Sequence, residues 1–530
     1  MSRFCIRGGL ILDGSGGPPH QADLLLDDGI IAAVGSLPPD PGCDTLDASG
    51  LCVSPGFVDI HRHGDLLALR GVLGPAELPQ GITTVVNGNC GMSAAPCPPE
   101  SAALLHGYLR PVLGEPPPGA ACTLYSDYAQ RLRSIPLAVG VGGYIGCGTV
   151  RIAIKGFDTA PMTAGELERA RDLVRDAMAA GAVGLSLGLM YTPERYMPRA
   201  ELVALMGEAA RAGGLVSAHI RGEGASLLAS VREALDLAKE SGAALNISHL
   251  KAAARESWGQ TLRRAIDAME DARAAGQDVT CDVYPYTAGA TMLQTLLPPQ
   301  YQGGGLALLR GAQHRESLRR QLACHHDDWD NLALSLGWEA AVVTAAHADD
   351  AACVGLSVAA IAARRGVDPV DCLCDLLLRS DGQAAMVLHS MSPDDMAMVL
   401  ALSYSMVISD AIHPPAGLPH PRAYGAFPRA LRLAGEGALP MEQMVRKMTA
   451  MPARRAGFAD RGLLQPGLRA DIVLFDGRAV GDRATYEDPA QAPSGIPWVF
   501  IGGRPAVAHG RIVNDQLGQY TERKGSTHGF

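Results

Sequence analysis

The sequence lacks long hydrophobic runs and has few aromatic residues. Phe, Trp and Tyr make up 5% of the 530 residues, and no stretch approaches the roughly 18 uncharged apolar residues that a membrane span requires. The amino terminus has no long apolar run after its first positive charges and no small-residue cleavage site, which disfavours a secretory signal peptide. We therefore expect a soluble, cytoplasmic protein that does not bind membranes.

Basic clusters and a patterned set of cysteines are also missing. The 45 Lys and Arg against 55 Asp and Glu give a net charge of −10, and the cations are scattered, so no basic face is available for nucleic acid. The 12 cysteines are too sparse and unpatterned for a disulfide framework. We expect reduced thiols and no nucleic-acid partner, and the oligomeric state stays open.

Turn residues and short apolar runs mark both ends of the chain. Residues 1–55 and 456–515 predict two β segments that join in one small β-sandwich, and the polar residues 516–530 predict a flexible tail. Between them, residues 56–455 alternate short apolar runs with amphipathic helices. That alternation is typical of repeated βα units.

Eight apolar runs in the middle region are strand candidates, which is the number that a closed parallel barrel needs. They cover residues 57–63, 82–90, 137–145, 183–187, 215–220, 244–249, 279–284 and 406–410. A ninth run at 384–388 makes the count inexact. The gap before the last candidate must hold an insertion, and residues 296–353 predict a lid or subdomain. The expected fold class is α/β, a TIM-like (β/α)8 barrel with a β-sandwich.

Metal-capable side chains stand at the ends of five of the eight candidate strands. His61 and His63 lie two apart on a strand, so they face the same side while Arg62 faces the other. The remaining members are Cys90, His219, His249 and Asp410. The carboxyl ends of barrel strands carry the sites of barrel enzymes, and imidazole with thiolate suits zinc. We therefore predict a zinc site, with the Asp410 carboxylate as general base.

Longer motifs are more specific than the His-x-His pair. They include PGFVDIHRHGD, GITTVVNGNCG, SAHIRGEG, NISHLKAAARESWG, DVYPYTAG and SDAIHPPAGLPHPRAYGAFPR, in order from about residue 50 to 476. On these motifs the sequence resembles the amidohydrolase superfamily and, within it, the D-aminoacylase (N-acyl-D-amino-acid deacylase) family. The resemblance implies zinc-dependent hydrolysis of a linear amide, most simply an N-acyl-D-amino acid, to a D-amino acid and a carboxylate.

The same resemblance implies roles for individual residues. A tight zinc site would consist of Cys90, His219 and His249, and a second, weaker metal position of His61, His63, Cys90 and Asp410. Asp410 would be the catalytic base. Recognition of the carboxylate of a small-molecule substrate would fall to Lys251, Tyr284 and Arg422, with Tyr191 near the scissile group. One or two metals in the active form remain equally compatible with the sequence.

Three departures from the family pattern bear on activity. Arg62 stands where Thr is usual, and we expect little effect because its side chain should face away from the metal. Cys147 replaces a His found in many relatives, which would remove a donor to the amide carbonyl. Gly289 and Ala290 replace two hydroxyl residues, which should weaken the carboxylate pocket and extend the candidate substrates to N-acyl amines.

Two further hypotheses remain open. A cyclic amide or imide hydrolase of the hydantoinase or dihydroorotase kind would resemble relatives that bridge two metals with a carboxylated lysine. The only lysine between His63 and His219 is Lys155, placed beside a turn rather than at a strand end, so Cys90 is the better bridge. A non-catalytic barrel protein would be expected to have lost several ligands, whereas this chain keeps all six.

Overall fold

The structure is a computed structural model that describes residues 3–414, 416–525 and 527. Twenty strands form in that part of the chain. They are β1 (Phe4–Ile11), β2 (His20–Asp27), β3 (Ile30–Gly35), β4 (Asp44–Asp47), β5 (Cys52–Pro55), β6 (Phe57–Asp59), β7 (Ile82–Asn87), β8 (Gly140–Gly146), β9 (Gly184–Gly188), β10 (Leu215–His219), β11 (Ala244–Ile247), β12 (Val279–Val283), β13 (Gly289–Met292), β14 (Ala341–Ala345), β15 (Ala385–Leu388), β16 (Ser405–Val407), β17 (Ile472–Phe475), β18 (Trp498–Ile501), β19 (Arg504–Ala508) and β20 (Arg511–Ile512).

Sixteen α-helices lie within the same described ranges. They are α1 (Asp65–Leu69), α2 (Ala102–Leu113), α3 (Tyr125–Ser134), α4 (Cys147–Lys155), α5 (Ala164–Ala179), α6 (Arg199–Arg211), α7 (Leu227–Ser241), α8 (Gln260–Ala274), α9 (Ala312–Leu322), α10 (Leu332–Leu336), α11 (Val358–Arg365), α12 (Pro369–Arg379), α13 (Pro393–Ala401), α14 (Arg422–Gly435), α15 (Met441–Met448) and α16 (Ala450–Arg455). Within these ranges, none of the helices combines the length and the apolar character needed to cross a bilayer.

The eight candidate strands of the middle region form one parallel sheet, in the order β6-β7-β8-β9-β10-β11-β12-β16. The first and last strands meet just beyond their ends, where Asp410 N donates to His61 O at 3.0 Å and His63 N donates to Ala411 O at 3.1 Å. These bonds close the barrel, and the predicted fold class is confirmed. The carboxyl ends of all eight strands therefore surround one opening.

Local sequence explains why the barrel elements form where they do. Its strands are buried along their whole length, which fits the nearly continuous apolar runs typical of a parallel sheet covered on both sides. Helix α5 begins with a capping box, in which Glu166 N donates to Thr163 Oγ1 at 3.3 Å and Thr163 N donates to Glu166 Oε2 at 2.7 Å. Such reciprocal bonds satisfy two backbone donors at the helix start.

The two ends of the chain meet in a single nine-stranded sheet. Its main path runs β20-β19-β18-β17-β5-β1-β2-β3, with β4 paired to β1. The sheet curls over, so that Ile31 N on the last strand donates to Leu468 O, just before β17, at 2.8 Å. It surrounds its own apolar cluster, which includes Ile6, Leu24 and Phe500. The expected sandwich is thus one curled sheet built from both ends.

The insertion is larger than the predicted range of 296–353. It begins at β13 and continues past β15, and these strands form an antiparallel sheet in the order β13-β15-β14. The ninth apolar run is therefore β15, a strand of the insertion. A separate apolar cluster, which includes Leu293, Leu373 and Leu388, holds the insertion together. The sequence range was too short because it ended before the strand that completes this sheet.

The prediction of a flexible tail at 516–530 is wrong for the described part of that segment; residues 526 and 528–530 lie outside the described residues. Gly518 N donates to Leu137 O at 2.7 Å, and Val141 N donates to Gln519 O at 2.9 Å. Tyr520 is buried, and its hydroxyl donates to Ala180 O at 3.2 Å. Hydrogen bonds and one buried aromatic ring thus hold a polar segment against the barrel.

Candidate metal centre and substrate cavity

The six side chains predicted from strand ends converge at the carboxyl end of the barrel. All six are buried. Their donor atoms form three overlapping groups in which every atom lies within 4.8 Å of the others: His61, His63 and Cys90; Cys90, His219 and His249; and His61, His249 and Asp410. The sequence prediction that these residues share one site agrees with this placement, and their roles as ligands are taken up below.

Distances between the donor atoms fit a tetrahedral ion. Two donors that each lie about 2.0–2.3 Å from a zinc ion are expected about 3.3–3.6 Å apart. Cys90 Sγ lies 3.3 Å from His61 Nε2 and 3.5 Å from His249 Nε2. Asp410 Oδ1 lies 3.3 Å from His63 Nε2 and 3.5 Å from His61 Nε2. The nitrogen, sulfur and oxygen donors present here therefore fit zinc in both chemistry and spacing.

Three of the six residues have left-handed backbone conformations. The φ angles are +55° at Cys90, +35° at His249 and +48° at Asp410. Residues other than glycine rarely adopt positive φ, and such strain is concentrated at functional sites, where the surrounding fold enforces it. Each of these residues lies two or three positions beyond the end of a barrel strand, where the strained turn directs the side chain into the opening.

Electrostatics favour the metal-binding protonation state at Cys90, His63 and Asp410, whereas anionic neighbours outweigh burial at His61 and His249 and raise the pKa of both imidazoles. Burial alone would raise the pKa of the Cys90 thiol, but the neighbouring His61 and His249 hold that pKa below its ordinary value. Burial lowers the pKa of His63 to about 4, so its imidazole is neutral. Burial would also raise the pKa of Asp410, but Arg422 and His63 hold it well below its ordinary value. Thiolate, neutral imidazole and carboxylate are the forms that coordinate metals.

Glu223 is a functional residue that sequence reasoning missed. Its Oε1 lies 3.0 Å from His249 Nδ1 and 2.5 Å from Lys251 Nζ. A carboxylate on the outer nitrogen of a histidine fixes the ring orientation and leaves the other nitrogen free for metal. The available signal was its place four residues after His219, in the loop that follows a metal-bearing strand.

Asp282 is the second residue that was missed. Its Oδ1 accepts a hydrogen bond from His249 N at 2.5 Å, and its Oδ2 accepts one from Asn246 Nδ2 at 2.6 Å. The same Oδ2 lies 3.6 Å from His61 Nδ1. Asp282 lies on strand β12, and the predicted substrate residue Tyr284 follows the strand two positions later. Residues two apart on an extended segment face the same side, and this spacing was the available signal.

A cavity of about 640 Å³, including its mouth, opens above the donor cluster. Lys251, Tyr191, Tyr284 and Arg422, the four predicted substrate residues, all line it together with five of the six donors. The Arg422 guanidinium lies 4.4 Å from the centre of the Tyr284 ring, and the Tyr191 hydroxyl lies 3.4 Å from Thr291 Oγ1. The four residues predicted to bind the substrate therefore lie in one cavity next to the candidate metal centre.

Comparison with known proteins agrees with this architecture. A family model described as "Amidohydrolase family" matches residues 44–507. The chain belongs to the amidohydrolase family. That range includes the complete barrel and all six donor residues, so the recognised similarity covers the candidate site as well as the fold.

Individual relatives span almost the whole of this amidohydrolase. An N-acyl-D-glutamate deacylase of Alcaligenes xylosoxydans xylosoxydans is 35% identical over 94% of this chain and 92% of its own length. A D-aminoacylase of the same organism is 32% identical over 98% of this chain and 97% of its own. Among solved structures, the fold is similar to the crystal structure of N-acyl-D-glutamate deacylase from Bordetella bronchiseptica, with a TM-score of 0.83 and 34% sequence identity over 98% of this chain and 99% of that one. That structure is complexed with zinc and a phosphonate inhibitor that mimics the tetrahedral intermediate of the reaction.

Lys155, the lysine that a carboxylated bridge would need, lies away from the donor cluster of this amidohydrolase. It ends helix α4, where its Nζ pairs with Asp158 Oδ2 at 2.9 Å and Glu166 Oε2 at 3.6 Å. Cys90 instead belongs to two of the three donor groups. His61 and His249 also belong to two groups each, so the Cys90 thiolate lies within the donor cluster, where Lys155 does not.

The departures at Arg62 and Cys147 lie outside the cavity wall. Arg62 is buried and forms ion pairs with Glu77 and, at 3.4 Å, with Asp59. Cys147 is fully buried, and its Sγ contacts Met197 Sδ at 3.7 Å. Cys147 does not line the cavity, and the loss of a donor to the amide carbonyl at this position stays a prediction.

The departures at Gly289 and Ala290 do lie in the cavity wall, on strand β13. Ala290 contributes its backbone, since its carbonyl accepts a hydrogen bond from Arg422 Nη2 at 3.4 Å. The next residue, Thr291, supplies a hydroxyl to the same wall. The wall thus loses two hydroxyl groups but retains a polar contact to Arg422 through its main chain.

Proposed function

We propose that this chain is a zinc-dependent hydrolase of linear amides, which converts an N-acyl-D-amino acid into a D-amino acid and a carboxylate. The donor cluster supports the assignment of a metal. Beside it, N–H groups without a hydrogen-bond partner support the assignment of a site for the amino-acid carboxylate. The activities named for the two Alcaligenes relatives support the D configuration.

Arg422 carries the proposal. Its side chain is buried and its Nη2 pairs with Asp410 Oδ2 at 2.9 Å, but its Nε and Nη1 have no hydrogen-bond partner among the described residues. Buried donors left unpaired are costly, and the planar guanidinium fork matches the two oxygens of a carboxylate. Arg422 lines the cavity, so the carboxylate of a bound substrate is the natural acceptor.

The remaining groups support hydrolysis next to that anion site. A zinc ion held by the donor cluster would polarise the amide carbonyl and lower the pKa of water. The Asp410 carboxylate stays ionised because Arg422 and His63 hold its pKa low. It can therefore accept a proton and return it to the leaving nitrogen as general base and general acid.

The test is amine release from a panel of N-acetyl and longer N-acyl derivatives of D- and L-amino acids, with N-acyl amines and cyclic imides included. We expect turnover of the D derivatives, with zinc found by metal analysis of the same preparation. Equal turnover of D and L derivatives would remove the stereochemical part. Hydrolysis of cyclic imides alone would favour the hydantoinase-like alternative, and preference for N-acyl amines would show that the carboxylate site is not used.

Variants separate metal binding from catalysis. Cys90→Ala should abolish tight zinc binding, whereas Asp410→Asn should retain the tight metal and lose activity. Lys155→Ala is the matched control, because its ammonium pairs with Asp158 outside the cluster. Loss of all metal in Lys155→Ala would contradict this assignment and support a lysine-bridged centre.

A further inference from the structure

The insertion contacts the surroundings of the donor cluster through one carboxylate. Asp330 lies in the insertion, two residues before helix α10, and its side chain binds the loop that follows strand β10. Its Oδ2 accepts hydrogen bonds from Gly224 N at 2.7 Å and from Ser226 Oγ at 3.0 Å, and its Oδ1 accepts one from Ser226 N at 2.9 Å. A single side chain of the insertion therefore binds three donors of a barrel loop.

Glu223 lies in this loop between two glycines that approach Asp330 closely. A Cβ atom at Gly224 would lie 2.9 Å from Asp330 Cγ, and one at Gly222 would lie closer still to Asp330 Oδ2. Only residues without a side chain fit at such separations. The loop can therefore close around Asp330, and in this position the Glu223 carboxylate lies 3.0 Å from His249 Nδ1.

The insertion fixes the position of Asp330 from the other side. Trp329, which precedes it, and Leu332, which begins helix α10, are both buried in the apolar cluster of the insertion. Asn331 caps the same helix, since its Oδ1 accepts a hydrogen bond from Leu334 N at 3.1 Å. Such a cap holds the backbone at a helix start. The Asp330 carboxylate is thus anchored in the insertion, and the barrel loop is the part that it positions.

The barrel holds the opposite side of the loop. Glu223 O accepts a hydrogen bond from Ala253 N at 2.7 Å, and Gly224 O accepts one from Ser257 Oγ at 2.8 Å. These contacts use carbonyl oxygens of the loop, whereas Asp330 uses its N–H groups and one hydroxyl. Without Asp330 the loop should therefore shift, while the barrel contacts keep it from unfolding.

From these contacts we infer that Asp330 is a positioning residue for the metal centre, which holds the loop from which Glu223 orients His249. The inference rests on the proposed function, because it takes His249 as a zinc ligand. Removing a direct partner of a metal-binding histidine reduces metal affinity by about 10- to 100-fold. Asp330 acts one contact further out and shares the loop with the barrel, so we expect a loss of about tenfold, at the lower end of that range.

The test is the zinc affinity of the full-length protein, measured by competition with a chromophoric chelator at neutral pH. Asp330→Ala should bind zinc about tenfold more weakly than the wild type. Asp330→Asn keeps one acceptor oxygen and should bind zinc with intermediate affinity. Asp327→Ala is the matched control, because it removes an exposed carboxylate from the same segment, and it should bind zinc as the wild type does. Equal affinities of Asp330→Ala and Asp327→Ala would overturn the inference.

A double-mutant cycle separates positioning of Glu223 from a general loss of stability. In a Glu223→Gln background the carboxylate through which Asp330 acts is gone, so Asp330→Ala should weaken zinc binding by about threefold or less. An equal loss in both backgrounds would show that Asp330 acts on the fold as a whole, and the inference would be wrong. If Asp330→Ala does not fold, Asp330→Asn replaces it in the cycle and is judged by the same comparison.

Failure of the proposed function gives a different result from failure of this inference. If the wild type bound no zinc, the metal site and the proposed function would both be refuted, and the role of Asp330 with them. If the wild type bound zinc and Asp330→Ala bound it equally well, the role of Asp330 alone would be refuted.

Discussion

Glu223→Gln should weaken zinc binding by acting on a ligand rather than by removing one. The Glu223 Oε1 atom is shared, at 3.0 Å from His249 Nδ1 and 2.5 Å from Lys251 Nζ. An amide oxygen has nearly the same shape but no charge, so it cannot balance Lys251. The Lys251 ammonium also lies 2.9 Å from His249 Nδ1. Without the Glu223 carboxylate to balance it, this positive charge would disfavour the ring orientation in which His249 Nε2 faces Cys90.

The size of the effect follows from the class of contact. Loss of a partner on the outer nitrogen of a metal-binding histidine reduces metal affinity by about 10- to 100-fold, which corresponds to about 1.4–2.7 kcal/mol. Because two contacts share the single Glu223 oxygen, we expect a loss near the upper end of this range. Both partners are largely buried, so solvent compensates only in part for the lost contacts.

Zinc affinity of the wild type and of Glu223→Gln is measured by competition with a chromophoric chelator at neutral pH. Glu240→Gln is the matched control, since Glu240 makes an exposed ion pair with Arg199 at 2.8 Å, and it should bind zinc as the wild type does. If Glu223→Gln and Glu240→Gln bound zinc equally well, Glu223 would not orient His249, and the proposed role would be refuted.

Three further predictions concern stability. Arg62→Met leaves Glu77 and Asp59 buried without a counter-charge and should lower the free energy of unfolding in urea by about 3–5 kcal/mol. Burial would raise the pKa of Glu208, but three arginines lower it to about 2 from 4.5. The resulting stabilisation is present above pH 4.5 and is lost as the pH falls towards 2. Glu208→Gln should therefore lower the free energy of unfolding by about 1–2 kcal/mol at pH 6 and by progressively less at pH 4 and pH 3. Tyr520→Ala removes the buried ring of the docked tail and should lower stability by about 3 kcal/mol, whereas a frayed tail would show no change.

The barrel was predictable because its signals are local. Each barrel strand is a short apolar run, and in five cases a metal-capable residue follows the run directly, as His219 and His249 do. Backbone direction then brings such residues together without knowledge of any contact, since the carboxyl ends of parallel strands share one face. For this reason the sequence alone predicts which six side chains the fold brings together.

Residues whose roles depend on long-range contacts could not be found in this way. Glu223 acts on His249, 26 positions later, and β15 completes a sheet with β13 across almost 100 residues. The tail is polar by composition, yet Tyr520 and the backbone near Gly518 find partners on the barrel, far back in sequence. Composition describes what a segment can bury alone, and it does not describe the surface on which the segment docks.

Chemistry and selectivity lie in different parts of this chain. The barrel supplies the donor cluster and all the charged groups of the cavity, including Arg422 and Asp410, whereas the insertion supplies a neutral wall that includes Leu332 and Leu388. A change in the insertion can therefore alter which substrate side chain fits without moving any donor atom. On the proposed function, the barrel groups bind the parts that every N-acyl-amino acid shares, so relatives with 35% overall identity can keep one reaction and differ in the amino acid they release.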